Sequence, residues 1–66
     1  MTAREFLEFA GVEVSERNLY LLGQYVGKGD FYASFPDASA KNEDGEFLGE
    51  LADEPANFQE YLEDHS

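Results

Sequence analysis

The ten aromatic residues most limit how this chain can fold, because it has no cysteine to cross-link a small core. A chain of 66 residues buries only roughly 60% of its unfolded surface, so its stability is thin. Disulfides and thiolate metal sites are excluded, and the single histidine, His65, cannot build a metal site alone. We therefore expect one folded domain with a dense aromatic core. The aromatic residues are Phe6, Phe9, Tyr20, Tyr25, Phe31, Tyr32, Phe35, Phe47, Phe58 and Tyr61.

Two helix-start signals in the first half of the chain predict a helical hairpin. Thr2 and Glu5 have the spacing of a capping box, which predicts a helix near residues 3–10. Ser15 stands where it would cap a second helix, near residues 15–26. Each apolar pattern ends in glycine, as helices commonly do. Two helices joined by so few residues are expected to lie antiparallel.

The middle of the chain changes its apolar period and predicts a β-hairpin. Apolar residues alternate across Phe31–Phe35, which favours a strand, and Pro36 closes it. The dipeptide Asp44-Gly45 is a hairpin-turn signal, so part of Glu46–Glu50 is expected as the return strand.

The expected fold class is α+β, with an N-terminal helical hairpin, a short β-hairpin and a C-terminal helix. Pro55 in the first turn and the apolar stripe after it predict that last helix near residues 55–64. The single domain spans residues 1–66, and an all-α bundle is the alternative. The expected core is Phe6, Phe9, Leu19, Leu22, Val26, Phe31, Phe35, Phe47, Phe58 and Leu62.

The negative charge is concentrated in the second half of the chain. Residues 1–29 hold four acids and three bases, whereas residues 30–66 hold eleven acids and Lys41 as their one base. This asymmetry bears on partners rather than on fold, because nucleic acid and anionic membranes would be repelled and a basic surface attracted. A solubility coat is the alternative interpretation of the acids.

The fragments of catalytic and ligand-binding motifs do not reach a functional pattern. Around Asp44 and Gly45 only the middle of a calcium loop is matched, because Ala40 and Leu51 stand where acids are needed. The glycine-rich segment 23–29 has the wrong spacing for a phosphate loop and ends a helix instead of opening one. The Asp-Ser-Leu tripeptide of acyl-carrier proteins is missing. We expect no enzyme, no catalytic residue, no metal and no cofactor.

In size, lack of cysteine and the acidic run from Glu43 to Asp64, the chain resembles the small DNA-mimic inhibitors of phages and mobile elements. That class includes anti-CRISPR and anti-restriction proteins. The resemblance implies a basic, nucleic-acid-binding host protein as partner, either a nuclease or a CRISPR effector subunit. It carries no sequence motif and therefore assigns no residue roles.

The candidate partner-binding residues come from the acidic half and its tyrosines. Carboxylates at helical spacing are able to follow a groove that normally holds DNA, and tyrosines add anchoring contacts. The alternative function is a small regulatory or structural module that docks through aromatic residues. The candidates are Glu43, Asp44, Glu46, Glu50, Asp53, Glu54, Glu60, Glu63, Asp64, Tyr32 and Tyr61.

The expected location is the cytoplasm, that of the host cell if a phage encodes the protein. The charged N-terminal segment lacks the apolar stretch of a signal peptide, and the chain is expected to be a complete small gene product. No apolar run approaches the roughly 18 residues of a membrane span.

The sequence has no cluster of metal ligands. We therefore expect Ca²⁺, Mg²⁺ and Zn²⁺ to associate only weakly with the surface carboxylates, with dissociation constants roughly in the millimolar range. Isothermal titration calorimetry of each ion measures this directly. A stoichiometric site of about micromolar affinity would contradict the prediction.

Overall fold

The structure is a computed structural model that describes residues 1–41, 44–47 and 54–65. The helices predicted at both ends of the chain are present, together with one further helical turn between them. Helix α2 contacts each of the other three helices and packs most extensively on α3, so it lies at the centre of the fold. The helices are α1 (Ala3–Phe9), α2 (Glu16–Val26), α3 (Phe31–Ser34) and α4 (Glu54–Asp64).

The first two helices begin at the caps that the sequence predicts. The Thr2 hydroxyl accepts from the Glu5 N–H at 3.1 Å, and the Glu5 carboxylate accepts from the Thr2 N–H at 3.0 Å. This capping box holds the pKa of Glu5 below its usual range, chiefly because the Thr2 N–H favours the charged carboxylate. The Ser15 hydroxyl accepts from the Asn18 N–H at 3.1 Å and so caps α2.

Backbone N–H groups at the N-terminus of α1 also donate hydrogen bonds to a segment more than thirty positions away in the sequence. The Ala3 N–H donates to the Ala38 carbonyl and the Arg4 N–H to the Pro36 carbonyl, each at 2.9 Å. The Ala40 N–H in turn donates to the Met1 carbonyl at 2.9 Å. The first two bonds occupy N–H groups that a helix N-terminus leaves without intrahelical partners, and all three fix the 36–40 segment against α1.

A close backbone approach after α2 brings α3 back onto it. Gly27 ends α2 at φ 80°, and the Lys28 N–H donates to the Gly23 carbonyl at 2.8 Å. This is the glycine-terminated helix end that left-handed backbone permits. Gly23 is buried, and a Cβ added there would overlap the carbonyl oxygen of Gly29. The missing side chain therefore lets the chain lie directly on α2.

The predicted β-hairpin is wrong, and with it the α+β fold class. Residues Phe31–Ser34 form a helical turn, and the residues that the structure describes contain no strand. Lys41 and Phe47 form one isolated antiparallel bridge around Gly45, which has a φ of 86°. Residues 48–50 of the expected return strand lie outside the described residues. The observed architecture is compatible with the all-α alternative.

The segment expected to form the first strand is helical instead. A strand would have buried residues 31, 33 and 35 on one face, whereas the tertiary contacts bury residue 32. Tyr32 is 1% exposed, whereas Phe31 and Phe35 face solvent. The Phe35 N–H donates to the Phe31 carbonyl at 2.9 Å, which is a helical bond, and Pro36 then prevents continuation. The alternation of apolar residues was therefore a misleading signal.

The core residues expected on α2 are buried, but the burial expected for several other residues is not observed. Phe6, Leu19, Leu22, Val26 and Phe58 are buried as expected. Leu62 is partly buried against the core, and Phe47 is half-buried. The predictions of burial for Phe9, Phe31 and Phe35 are wrong, since all three are exposed. The buried side chains that were not expected are Ala3, Leu7, Ala10, Tyr32 and Ala40.

Phe9 is exposed because it lies beside the apolar stripe of α1 instead of within it. The buried positions 3, 6, 7 and 10 follow the i, i+3, i+4, i+7 spacing of one helix face. A residue at position 9 points away from that face. Apolar character alone therefore did not predict its burial.

Replacing Gly23 with alanine should destabilise the fold, because the added methyl group overlaps the Gly29 carbonyl and has no open space to enter. We expect G23A to lower the free energy of unfolding by about 1–3 kcal/mol, measured by urea denaturation. The neighbouring exposed residue supplies the control. Q24A should change stability by less than about 0.5 kcal/mol, and equal effects of the two substitutions would contradict the close approach.

Candidate functional site

The outer face of α4 carries three of the predicted acidic residues in an exposed row. Glu60, Glu63 and Asp64 are all exposed, while Phe58 and Tyr61 on the opposite face are buried and half-buried. Their i, i+3 and i, i+4 spacing puts neighbouring Cβ atoms about 5–6 Å apart. The structure therefore brings these three carboxylates together on one side of one helix.

The remaining predicted acids lie in the sequence between α3 and α4 or at the start of α4. Asp44 and Glu46 are exposed on either side of Gly45. Glu54 begins α4, and its side chain lies outside the described part of the structure. Three further predicted residues also lie outside the described residues, namely Glu43, Glu50 and Asp53.

The C-terminal end of α4 receives its positive charge from α2. The last turn of α4 has no basic residue, and the negative end of its dipole meets two further acids, Glu63 and Asp64. The Arg17 guanidinium donates to the His65 carbonyl at 2.7 Å and thus places a cation at this end. Arg17 stabilises the helix terminus through the backbone, so this contact does not neutralise a carboxylate.

Two other basic side chains, Arg4 and Lys41, make their contacts away from the acidic row on α4. Arg4 forms an ion pair with Asp37 at 3.2 Å on the exposed surface. The Lys41 ammonium lies 4.7 Å from the centre of the Phe47 ring, which is a cation–π contact. The row on α4 places the three carboxylates of Glu60, Glu63 and Asp64 on an exposed helix face.

Tyr61 links the acidic helix to the core through ring contacts. Its ring centroid lies 5.2 Å from that of Tyr25 and 4.0 Å from that of His65, on which it stacks. Tyr61 is half-buried, so its ring supports α4 and keeps part of its surface exposed. On the other side of α4, the Gln59 side-chain amide donates to the Ala10 carbonyl at the end of α1.

Tyr32 lies in the core, which corrects its assignment as an anchoring contact. Its side chain is 1% exposed and therefore has no surface to offer a partner. The hydroxyl accepts from the Lys41 N–H at 3.1 Å and lies within donating distance of the Ser39 and Lys41 carbonyls, at 3.2 and 3.3 Å. Tyr32 holds the 39–41 segment in place, so its role is structural.

Sequence reasoning missed the exposed aromatic residues on α2 and α3. Phe31 and Phe35 lie side by side with ring centroids 5.1 Å apart, and Tyr20 is exposed on the neighbouring helix. Phe31 and Phe35 are four residues apart, a spacing that fits one face of a helix as well as one face of a strand. This spacing was the signal available in the sequence.

Comparison with known proteins assigns the chain to no family. No protein-family model matches it, and no curated protein or solved structure matches it significantly. Within the described residues no three His, Asp or Glu side chains are grouped so that they could hold a metal ion. None of the described helices is long and apolar enough to cross a membrane.

Replacing Tyr32 with phenylalanine should destabilise the fold without opening a cavity in the core. The part-buried Lys41 N–H would lose its acceptor, which we expect to lower the free energy of unfolding by about 1 kcal/mol. Y20F is the matched control, because Tyr20 is 44% exposed. Chemical denaturation of both variants measures the difference, and a Y32F protein as stable as Y20F would contradict the structural role.

Proposed function

We propose that this protein is a binding inhibitor that occupies the basic nucleic-acid-binding surface of another protein. The observation that carries the proposal is the exposed carboxylate row on α4, formed by Glu60, Glu63 and Asp64. The proposed function is binding rather than catalysis, as expected from the sequence.

Charge spacing supports the imitation of DNA. Duplex DNA carries one negative charge per roughly 1.7 Å of its axis, and proteins that bind it present Lys and Arg along a groove. Three carboxylates within five residues of one helix offer comparable charge density on a regular backbone. Asp44 and Glu46 add exposed negative charge at the turn before α4. Binding would release the counterions of both surfaces, as DNA binding does.

The proposed partner is a nuclease or a CRISPR effector subunit in the cytoplasm of the host cell. The support for this partner is the resemblance in size and charge to phage-encoded DNA mimics, together with a net charge of −11. Such a charge disfavours direct contact with nucleic acid and speeds encounter with a basic surface.

A second candidate function is a regulatory or structural module that docks through aromatic residues. The specific observation in its favour is the exposed pair Phe31 and Phe35. In that case the acids serve solubility, and binding should depend little on salt. Salt dependence therefore separates the two functions.

Reversing charge on α4 should weaken binding to the partner. We expect the E60K/D64K variant to associate with it about tenfold more slowly or worse at physiological salt, because steering charge is lost. The partner is recovered from a lysate of the source cells on immobilised protein and then purified. Stopped-flow association and competition with labelled duplex DNA then measure the effect.

The matched control makes the same change in net charge elsewhere on the surface. Glu8 and Glu13 are exposed, and E8K/E13K leaves the Thr2–Glu5 capping box intact. Thermal melts establish that both variants fold. Equal loss of binding in both variants, or a partner that holds DNA and this protein at once without loss of affinity, would contradict the proposal.

A further inference from the structure

The turn before Phe47 contains the dipeptide Asp44-Gly45, the one place in the sequence where glycine follows aspartate. Both residues are exposed, and Gly45 has a φ of 86°. No described atom lies within 4 Å of the position that a Cβ on Gly45 would occupy. Because glycine has no Cβ, the backbone nitrogen next to the Asp44 side chain lacks the steric cover that any other residue would give it.

The backbone around this nitrogen is not held by hydrogen bonds that would keep it from the Asp44 side chain. The Gly45 N–H makes no hydrogen bond within the described residues. Lys41 and Phe47 form an isolated bridge across the turn, and no ladder of strand bonds extends it in the part of the chain that the structure describes. Local rotation of the exposed backbone at Asp44 therefore costs little free energy.

An aspartyl side chain beside an accessible amide nitrogen can close a five-membered ring. The Gly45 nitrogen attacks Cγ of the protonated Asp44 carboxyl group, the N–Cγ bond forms, and the hydroxyl leaves as water together with the amide proton. The product is a succinimide with two carbonyl carbons, and one water molecule reopens it. Attack of that water at Cγ restores aspartate, whereas attack at the former main-chain carbonyl gives isoaspartate.

We propose that Asp44-Gly45 is a site of spontaneous backbone rearrangement, at which Asp44 converts to isoaspartate in the folded protein. One water is lost and one is regained, so the reaction needs no enzyme, oxidant or cofactor. The other four aspartates are each followed by a residue whose Cβ crowds the attacking nitrogen. Those following residues are Phe31, Ala38, Glu54 and His65.

The rearrangement keeps the charge of the turn and changes its shape. Isoaspartate retains one carboxylate, which is now the former main-chain carboxyl group, so the net charge stays at −11. The main chain gains one carbon atom between Lys41 and Phe47, which form the bridge and a cation–π contact at 4.7 Å. Since one pair of residues forms this bridge, we expect the added atom to break both contacts.

Ageing of the purified full-length protein tests the proposal. Samples are kept for several weeks in neutral buffer, folded or unfolded in guanidinium chloride, and then digested with endoproteinase Asp-N, which cleaves before aspartate but not before isoaspartate. Mass spectrometry should show loss of cleavage at Asp44, with no net change in mass and a minor species lighter by one water. We expect the rate in the folded protein to lie within about tenfold of the rate in the unfolded chain, because opening an exposed turn costs little.

D44E is the matched control, because it keeps the charge but would have to form a six-membered ring, which closes far more slowly. We expect no detectable rearrangement at residue 44 in this variant. In NMR spectra the ring of Phe47 shifts the side-chain signals of Lys41, since the ammonium lies over it. Those shifts should diminish in the aged wild-type protein and persist in aged D44E.

The proposal is overturned if Asp44 stays intact in the folded protein while it rearranges in guanidinium chloride, because the fold would then protect it. Rearrangement of another aspartate at the same rate or faster would overturn it as well. Neither measurement involves a partner protein, so the inference stands or fails separately from the proposed DNA mimicry.

Discussion

The fold depends on the missing side chain at Gly23, which lets the carbonyl of Gly29 lie against α2. This approach turns the chain back so that α3 packs on α2, and it carries Tyr32 into the core. The Tyr32 hydroxyl then fixes the backbone at Ser39 and Lys41. One close contact between glycines thus determines the path of the following twelve residues.

Local signals in the sequence were sufficient to place the helices at both ends of the chain. Caps such as Ser15 act through bonds to residues three positions away, so a sequence window contains the whole interaction. Phe31 and Phe35 are different, because their spacing suits either a helix or a strand. The choice was made by the hydrogen bonds of Tyr32 to residues seven and nine positions away and by packing on Gly23. A short window contains neither.

The charge of the candidate site was predictable from the sequence, but the contacts that hold α4 in place were not. The exposed acids of α4 follow from helical spacing around Phe58 and from the rarity of buried unpaired carboxylates. The bond from Arg17 to the His65 carbonyl joins residues 48 positions apart, and no sequence pattern announces it. The exposure of Phe35 was equally hidden, since an aromatic residue in a small protein is expected to be buried.

The bonds that join Met1, Ala3 and Arg4 to the 36–40 segment bear on how the chain folds during synthesis. The helical hairpin of α1 and α2 has an incomplete N-terminus until Ala40 is available. Phe6 also lacks its ring partner Phe58, at a centroid distance of 5.6 Å, until α4 has been made. Neither half of the chain holds the whole core, so residues from both halves must come together before the core is complete.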